Sequence, residues 1–357
     1  MEPHALDDFA TLLGRAGDDA SAVRQYLTRY AIPEDWPGEL SRMIGPAARA
    51  SMESAIEAVR KATDILYVSA EGMRHAANYY RQTDATAAAQ MDATLPGREP
   101  GPATAQEGRW AATGITPTFT DVHEPQGRLT PVDDVEYTHW LADLDLISPA
   151  HHIIAVWEQI SGTNPLNDAL DFIVGDWQSI ANAGRSLENA ANALEDLALN
   201  LQGGASALHP AWWQGHAGET AYQFFARTAQ AVVDLLVMPM RELAARFAEI
   251  SMGVYHYSEA TSGFIKGMID GAVVVALAAA GGAASAATVV GPVFAAGVVA
   301  IEVARILALI SSATQALTTL YGVGQQVLGV IRSSAADLDG AALPAPSGGG
   351  YAHPLAG

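Results

Sequence analysis

A chain of 357 residues, half of them hydrophobic, is long enough for two domains and a sizeable core. A formal net charge of -20 argues against a nucleic-acid partner, because phosphate contacts need clustered Lys and Arg. The absence of Cys removes disulfides, thiolate catalysis and Cys-ligated zinc.

Ala-rich, Leu-containing sequence with few β-branched runs predicts an all-α fold. The acidic start, Met1-Glu2-Pro3-His4-Ala5-Leu6-Asp7-Asp8, lacks a basic and then apolar leader, so no cleaved secretory signal is expected. Residues 5–31 predict one short helix with Leu6, Phe9, Leu13 and Ala16 on one face. Pro33, Pro37 and Pro46 punctuate the chain after it, with Trp36-Pro37-Gly38 inside the break.

A long helix is expected to begin at Gly45-Pro46, since Pro suits the first helical turn, and to fade near Pro96. Its positions Met52, Ile56, Val59, Thr63, Leu66, Ala70, Met73, Ala77 and Tyr80 alternate by four and three. Such a seam wants a partner helix along its whole length. Tyr80-Arg81-Gln82-Thr83-Asp84 closes it. Residues 96–135 are Pro-rich and read as a linker or long loop, with Trp110, Phe119 and Trp140 as candidate anchors onto the folded part.

A second seam is expected to start at Thr163-Asn164-Pro165 and to run through Leu170, Ile173, Trp177, Ile180, Gly184, Leu187, Ala191, Leu194, Ala198 and Leu201. Gly203-Gly204 reads as its end. Trp213-Gln214-Gly215 then makes the turn of a large hairpin. The next helix carries Phe224, Phe225, Val232, Leu235, Leu243, Phe247, Ile250, Val254 and Tyr257, with a kink expected at Pro239. Tyr255-His256-Tyr257-Ser258-Glu259 lies near its end.

Residues 271–301 carry no charge and are bounded by Asp270 and Glu302. They divide at Gly281-Gly282 and Gly291-Pro292, which suggests two close-packed helices. Leu307, Ile310, Leu317, Leu320, Val327 and Ile331 continue as a seam, and the tail from Ala341 is Pro/Gly/Ser-rich. The expected architecture is an elongated antiparallel bundle of long hairpins with an Ala/Gly-rich hydrophobic extension. Its parts are 1–95, a linker at 96–150, a hairpin at 151–263, a hydrophobic hairpin at 264–335 and a disordered tail at 336–357.

The two halves echo one another. Each has Trp-x-Gly, a long helix, then Tyr-x-x-x-Asp or Tyr-x-x-x-Glu, at separations of 44 (Trp36 to Tyr80) and 42 (Trp213 to Tyr255) positions. A duplicated unit whose seams need partners can pair with itself inside one chain.

These motifs resemble the type VII (ESX) secretion substrates of actinobacteria, the superfamily of WXG and PE/PPE-like proteins, and within it the Esp-type substrates. The resemblance is best over residues 46–88 and 165–260. It implies a composite export signal: Trp213 and Gly215 from one half, Tyr80 and Asp84 from the other, lying together at one end of the bundle. Trp36/Gly38 and Tyr255/Glu259 are the secondary candidates. It further implies a non-enzymatic protein at the cell surface, the membrane or a host interface. Its partner would be the type VII secretion ATPase or a dedicated chaperone, and a second copy of the chain is a further candidate. A non-secreted helical scaffold and the delivery module of a toxin are the alternatives.

The chemistry of the side chains adds no competing activity. Phosphate-loop, nucleophile-elbow and zinc-protease motifs are missing from the sequence. Gly322-Val323-Gly324 lacks the third Gly of a dinucleotide loop. His151, His152, Asp143 and Asp145 lack the spacing of a metal site, and no cofactor is expected. Residues 271–310 have two readings: a segment buried in the bundle or in self-assembly, or one that contacts a membrane, where Gly267-x-x-x-Gly271 permits tight helix packing.

Overall fold

The computed structural model describes residues 2–31, 39–83, 118–132, 177–212, 216–284 and 290–344, with residues 87, 90, 91 and 94. Among the described residues the fold is all-α, without a strand. Helix α1 spans Pro3–Tyr30 and α2 spans Glu39–Gln82. Helix α3 spans Trp177–Ala211 and α4 spans His216–Val232. A single π turn, Val233–Val237, joins α4 to α5, Met238–Ala284, and α6 spans Val290–Asp339.

The heptad seams become the core. Leu6, Phe9 and Leu13 of α1 are fully buried, as are Met52, Val59, Leu66, Met73 and Ala77 of α2 and Leu187, Leu194 and Leu201 of α3. Helix α1 packs on α2 and α3, α3 on α4 and α5, α5 on α6, and α6 returns to α2. The short α1 cannot cover the 44-residue α2, and α6 supplies the remaining partner surface. Leu320, Val327, Ile331 and Leu338 of α6 join the same apolar cluster as the first half.

Four boundaries differ from expectation. Helix α2 begins at Glu39 and carries Pro46 inside it. At that position Pro removes only one intrahelical bond near the start, where burial of Ile44, Ala48 and Met52 holds the helix. Helix α3 does not end at Gly203-Gly204 but runs on to Ala211. A Cβ on Gly204 would stand 2.8 Å from a Leu12 methyl and 2.9 Å from the Phe9 ring, so this Gly permits close helix approach rather than a cap. The break expected at Pro239 is taken up just before it by the π turn, where the Met238 N–H bonds the Val233 carbonyl. The stretch 336–344 is not a loose tail: α6 continues to Asp339, and Ala341 and Leu343 are buried. Residues 345–357 and the expected helix start at 163 lie outside the described residues, as do Trp110 and Trp140.

Gly204→Ala should therefore lower stability by about 1–3 kcal/mol through overpacking. Gly17→Ala is the control. Its Cβ would meet the Tyr67 ring at 2.7 Å, but Tyr67 is 41% exposed and able to swing outward. Its cost is expected to stay below about 1 kcal/mol, because Ala also favours helix by a similar amount. Urea midpoints of the two variants compare them.

Part of the linker is a well-held strap. Residues 118–132 cross α1 and α3, with one 3-10 turn at Pro125–Arg128. Phe119 packs against the core beside Phe9, at 6.2 Å between ring centroids. The Asn200 carboxamide oxygen accepts from the N–H groups of Val122 and His123, both at 3.0 Å, and its NH2 donates to the His123 carbonyl at 3.0 Å. Arg15 pairs with Asp121 and donates to the Phe119 carbonyl, and Arg128 pairs with Asp196 at 2.7 Å. Tyr26 donates to the Thr130 carbonyl at 2.8 Å. Burial beneath the strap pushes the Asp19 carboxyl up, against the pull of the Gln126 amide that donates to it.

Candidate functional site

The C-terminal ends of α2 and α3 and the N-terminal ends of α1 and α4 meet at one end of the helix assembly. The Glu2 N–H reaches the Ala211 carbonyl at 3.4 Å, which joins the start of α1 to the end of α3. Arg81 pairs with Asp7, which joins the end of α2 to the start of α1. Antiparallel packing of α1 against both neighbours requires this arrangement.

Tyr80 and Trp212 form the centre of this end. Their rings stand edge to face, with centroids 5.8 Å apart and planes at 84°. Among the described residues Trp212 is the largest fully buried side chain, and Tyr80 is nearly as enclosed. The pair gains from ring-quadrupole complementarity as well as burial. Tyr79 flanks Tyr80 at 5.4 Å, also edge to face.

The turn between α3 and α4 is bracketed from both sides. His209 lies 3.1 Å from the Glu219 carboxylate across it, and its ring sits 4.8 Å from Tyr222. Gly218 seats directly on the Trp212 carbonyl, where any Cβ would clash. The small pair Ala217-Gly218 thus lets the first turn of α4 close against Trp212. Trp213, Gln214 and Gly215 themselves lie outside the described residues, as do Asp84, Trp36 and Gly38. What the structure gives is the frame on which Trp213, Gly215 and Asp84 are carried: Ala211, Trp212 and His216 on one side, Tyr80 to Thr83 on the other.

The second Tyr motif has a different setting. Tyr255 is half-buried, with the His256 ring 5.5 Å away, and lies within the 47-residue α5. The Glu259 side chain is outside the described residues. Tyr80, by contrast, stands two residues from the end of α2. The Tyr80 ring is part of the core rather than of the surface.

The residue that the motif reading missed is Trp212. The tripeptide drew attention to Trp213, and the indole of its neighbour Trp212 is fully buried. The α3 seam contains the signal once it is continued through the Gly pair: Leu201, Ala205, Leu208 and Trp212 keep the four-three alternation and are all buried. The stretch around Gly322 lies within α6, so it forms no phosphate loop. His151, His152, Asp143 and Asp145 lie outside the described residues. Compared with family profiles, curated proteins and solved structures, the chain matches none of them.

Proposed function

We propose that this chain is a non-enzymatic substrate of a type VII (ESX) secretion system, exported as a folded helical assembly. Its label is composite: Tyr80 and Asp84 from the first half, Trp213 and Gly215 from the second. The observation that carries this reading is the edge-to-face contact of Tyr80 with Trp212, which joins the flanks of the two motifs at one end of a single chain. Small secretion substrates of this kind achieve the same meeting with two chains. Here the long linker, pinned by its strap across α1 and α3, allows one chain to suffice.

An aspartate four residues beyond a tyrosine shares its helix face only while the helix lasts, and α2 ends at Gln82. With the Tyr80 ring turned into the core, the readable parts become Asp84 and the adjoining turn. The receptor is the secretion ATPase or a dedicated chaperone, and the exported protein acts at the cell surface, the membrane or a host interface. Immunoblots of culture filtrate and cell pellet test this in an actinobacterial strain with an active type VII system and in its ATPase-deleted sibling. The chain is expected in the filtrate of the first and only in the pellet of the second. Equal release from both strains, or retention in both, would overturn the reading and leave the non-secreted scaffold.

A further inference from the structure

The groove beneath the strap is lined as a peptide site is lined. Arg15, Asp19 and Tyr26 recur at helical spacing on α1, and Asn189, Asp196, Asn200 and Gly203 do so on α3. Each set therefore shares one helix face, and each meets residues 118–132. Asp196 and Asn200 are 6% and 5% exposed. Polar side chains so enclosed need partners. Among the described residues, the side-chain hydrogen bonds of both run to the strap.

The groove reads main chain at several points. Asn200 takes the N–H groups of Val122 and His123 and donates to the His123 carbonyl, while Val122 itself is 62% exposed. Arg15 donates to the Phe119 carbonyl at 2.8 Å, and the Thr118 N–H reaches the Gly203 carbonyl at 3.3 Å. Main-chain bonds of this kind supply affinity, and a few side chains supply register. Register comes from Phe119 beside Phe9, from the buried Pro125, and from the Asp121–Arg15 and Arg128–Asp196 pairs. The segment also closes its own turn. The Gly127 N–H bonds the Glu124 carbonyl and the Leu129 N–H that of Gln126, both at 3.1 Å. A turn held by its own bonds lowers the ordering cost of docking.

The helices do not dictate where the strap sits. Residues 83–117 separate it from α2, and residues 133–176 separate it from α3. At up to about 3.3–3.6 Å per residue, either connection can extend over roughly 100 Å. A segment tethered in this way acts as a ligand at an effective concentration on the order of millimolar. At micromolar protein the strap stays on its own chain. At about millimolar protein a second copy competes for it, which is the low-cost route to exchanged dimers. Every copy carries one groove and one segment that fits it.

We propose that the α1–α3 groove is a peptide-binding site, that residues 118–132 are its ligand, and that two copies of the chain exchange this segment. The site is independent of the export label, and its test uses purified protein alone. The probe is a dye-labelled peptide of residues 118–132, and fluorescence anisotropy measures its binding to the full chain. Asp121→Ala/Arg128→Ala weakens the resident strap at two exposed side chains. That chain should bind the peptide about tenfold more tightly than wild type, whose own strap competes. Adding Asn200→Ala should weaken binding about tenfold, through loss of its clamp on the main chain. A peptide carrying Phe119→Ala and Arg128→Ala should bind the unaltered groove about tenfold more weakly than the native peptide. Wild type at higher peptide concentration should rank the two peptides alike, so the test survives a variant that fails to fold.

Exchange is read by cross-linking. The chain has no Cys, and the Gln126 amide donates to Asp19 at 2.8 Å. A chain carrying Asp19→Cys is mixed at about millimolar concentration with one carrying Gln126→Cys, where copies compete with the tether. A short bis-maleimide should join the two chains, and excess unlabelled peptide should suppress the product. Absence of peptide binding, or equal binding of the native and altered peptides, would overturn the site. Peptide binding without a suppressible interchain product would overturn exchange and leave a groove closed by its own strap.

Discussion

Trp212→Ala is expected to lower unfolding stability by about 3–5 kcal/mol, the largest loss of any single substitution at this end of the molecule. The indole is 1% exposed and lies where α2, α3 and α4 converge. Its removal takes away the ring that Tyr80 packs against and the floor on which Gly218 seats. Neighbouring helices are held by Arg81–Asp7 and His209–Glu219 on the rim, so the cavity cannot simply collapse. Those rim pairs are partly exposed and contribute little by comparison. A double-mutant cycle between Tyr80→Ala and Trp212→Ala should return a coupling of about 0.5–1.5 kcal/mol, the range for an edge-to-face pair. Urea unfolding of the four chains measures it, and a coupling near zero would show that the two halves do not meet through these rings.

Asp84→Ala should reduce export about tenfold or more and leave the urea midpoint unchanged, while Glu259→Ala should leave export intact. The magnitude comes from losing one hydrogen bond to a charged group at a receptor, worth about 1.5–3 kcal/mol. The asymmetry comes from position. Helix α2 stops at Gln82, two residues before Asp84 in the sequence. Glu259 falls inside α5, which runs on to Ala284. Tyr80→Ala is the wrong probe, since the cavity it leaves would confound export with folding. Filtrate immunoblots, paired with urea curves of the purified variants, separate the two effects. Loss of export from Glu259→Ala with normal export of Asp84→Ala would move the label to the second motif.

The helical seams were legible in sequence because each repeats one physical demand over many turns. Met52 through Tyr80 and Ile180 through Leu201 alternate by four and three, and those positions are buried, with Ile56 only partly so. Single residues that serve two purposes were not legible. Gly204 looks like a helix stop, yet it lets α3 approach Phe9 and Leu12, and sequence spacing cannot tell these uses apart. Leu307 satisfies the seam rule and is exposed, because periodicity identifies an apolar face without identifying its cover. The strap could be expected only through Phe119. Its polar pins join Asn200 to His123 and Arg128 to Asp196, pairs far apart in sequence that carry no periodic signal. At the candidate site, the meeting of the first half's Tyr end with the second half's Trp end was implied by the resemblance; the repeat itself implied only that the two halves pair. The burial of Trp212 was hidden by the misread end of α3.

A single export label made of two parts is tested most directly by a four-chain export experiment. Wild type, Asp84→Ala, Trp213→Ala and the double variant are expressed in one type VII-competent strain, and the filtrate fraction of each is quantified beside its urea midpoint. A single composite label predicts that either substitution alone lowers export as far as both together, with folded protein retained in the pellet. Export of either single variant at the wild-type level, or losses that multiply in the double variant as for two independent signals, would contradict it.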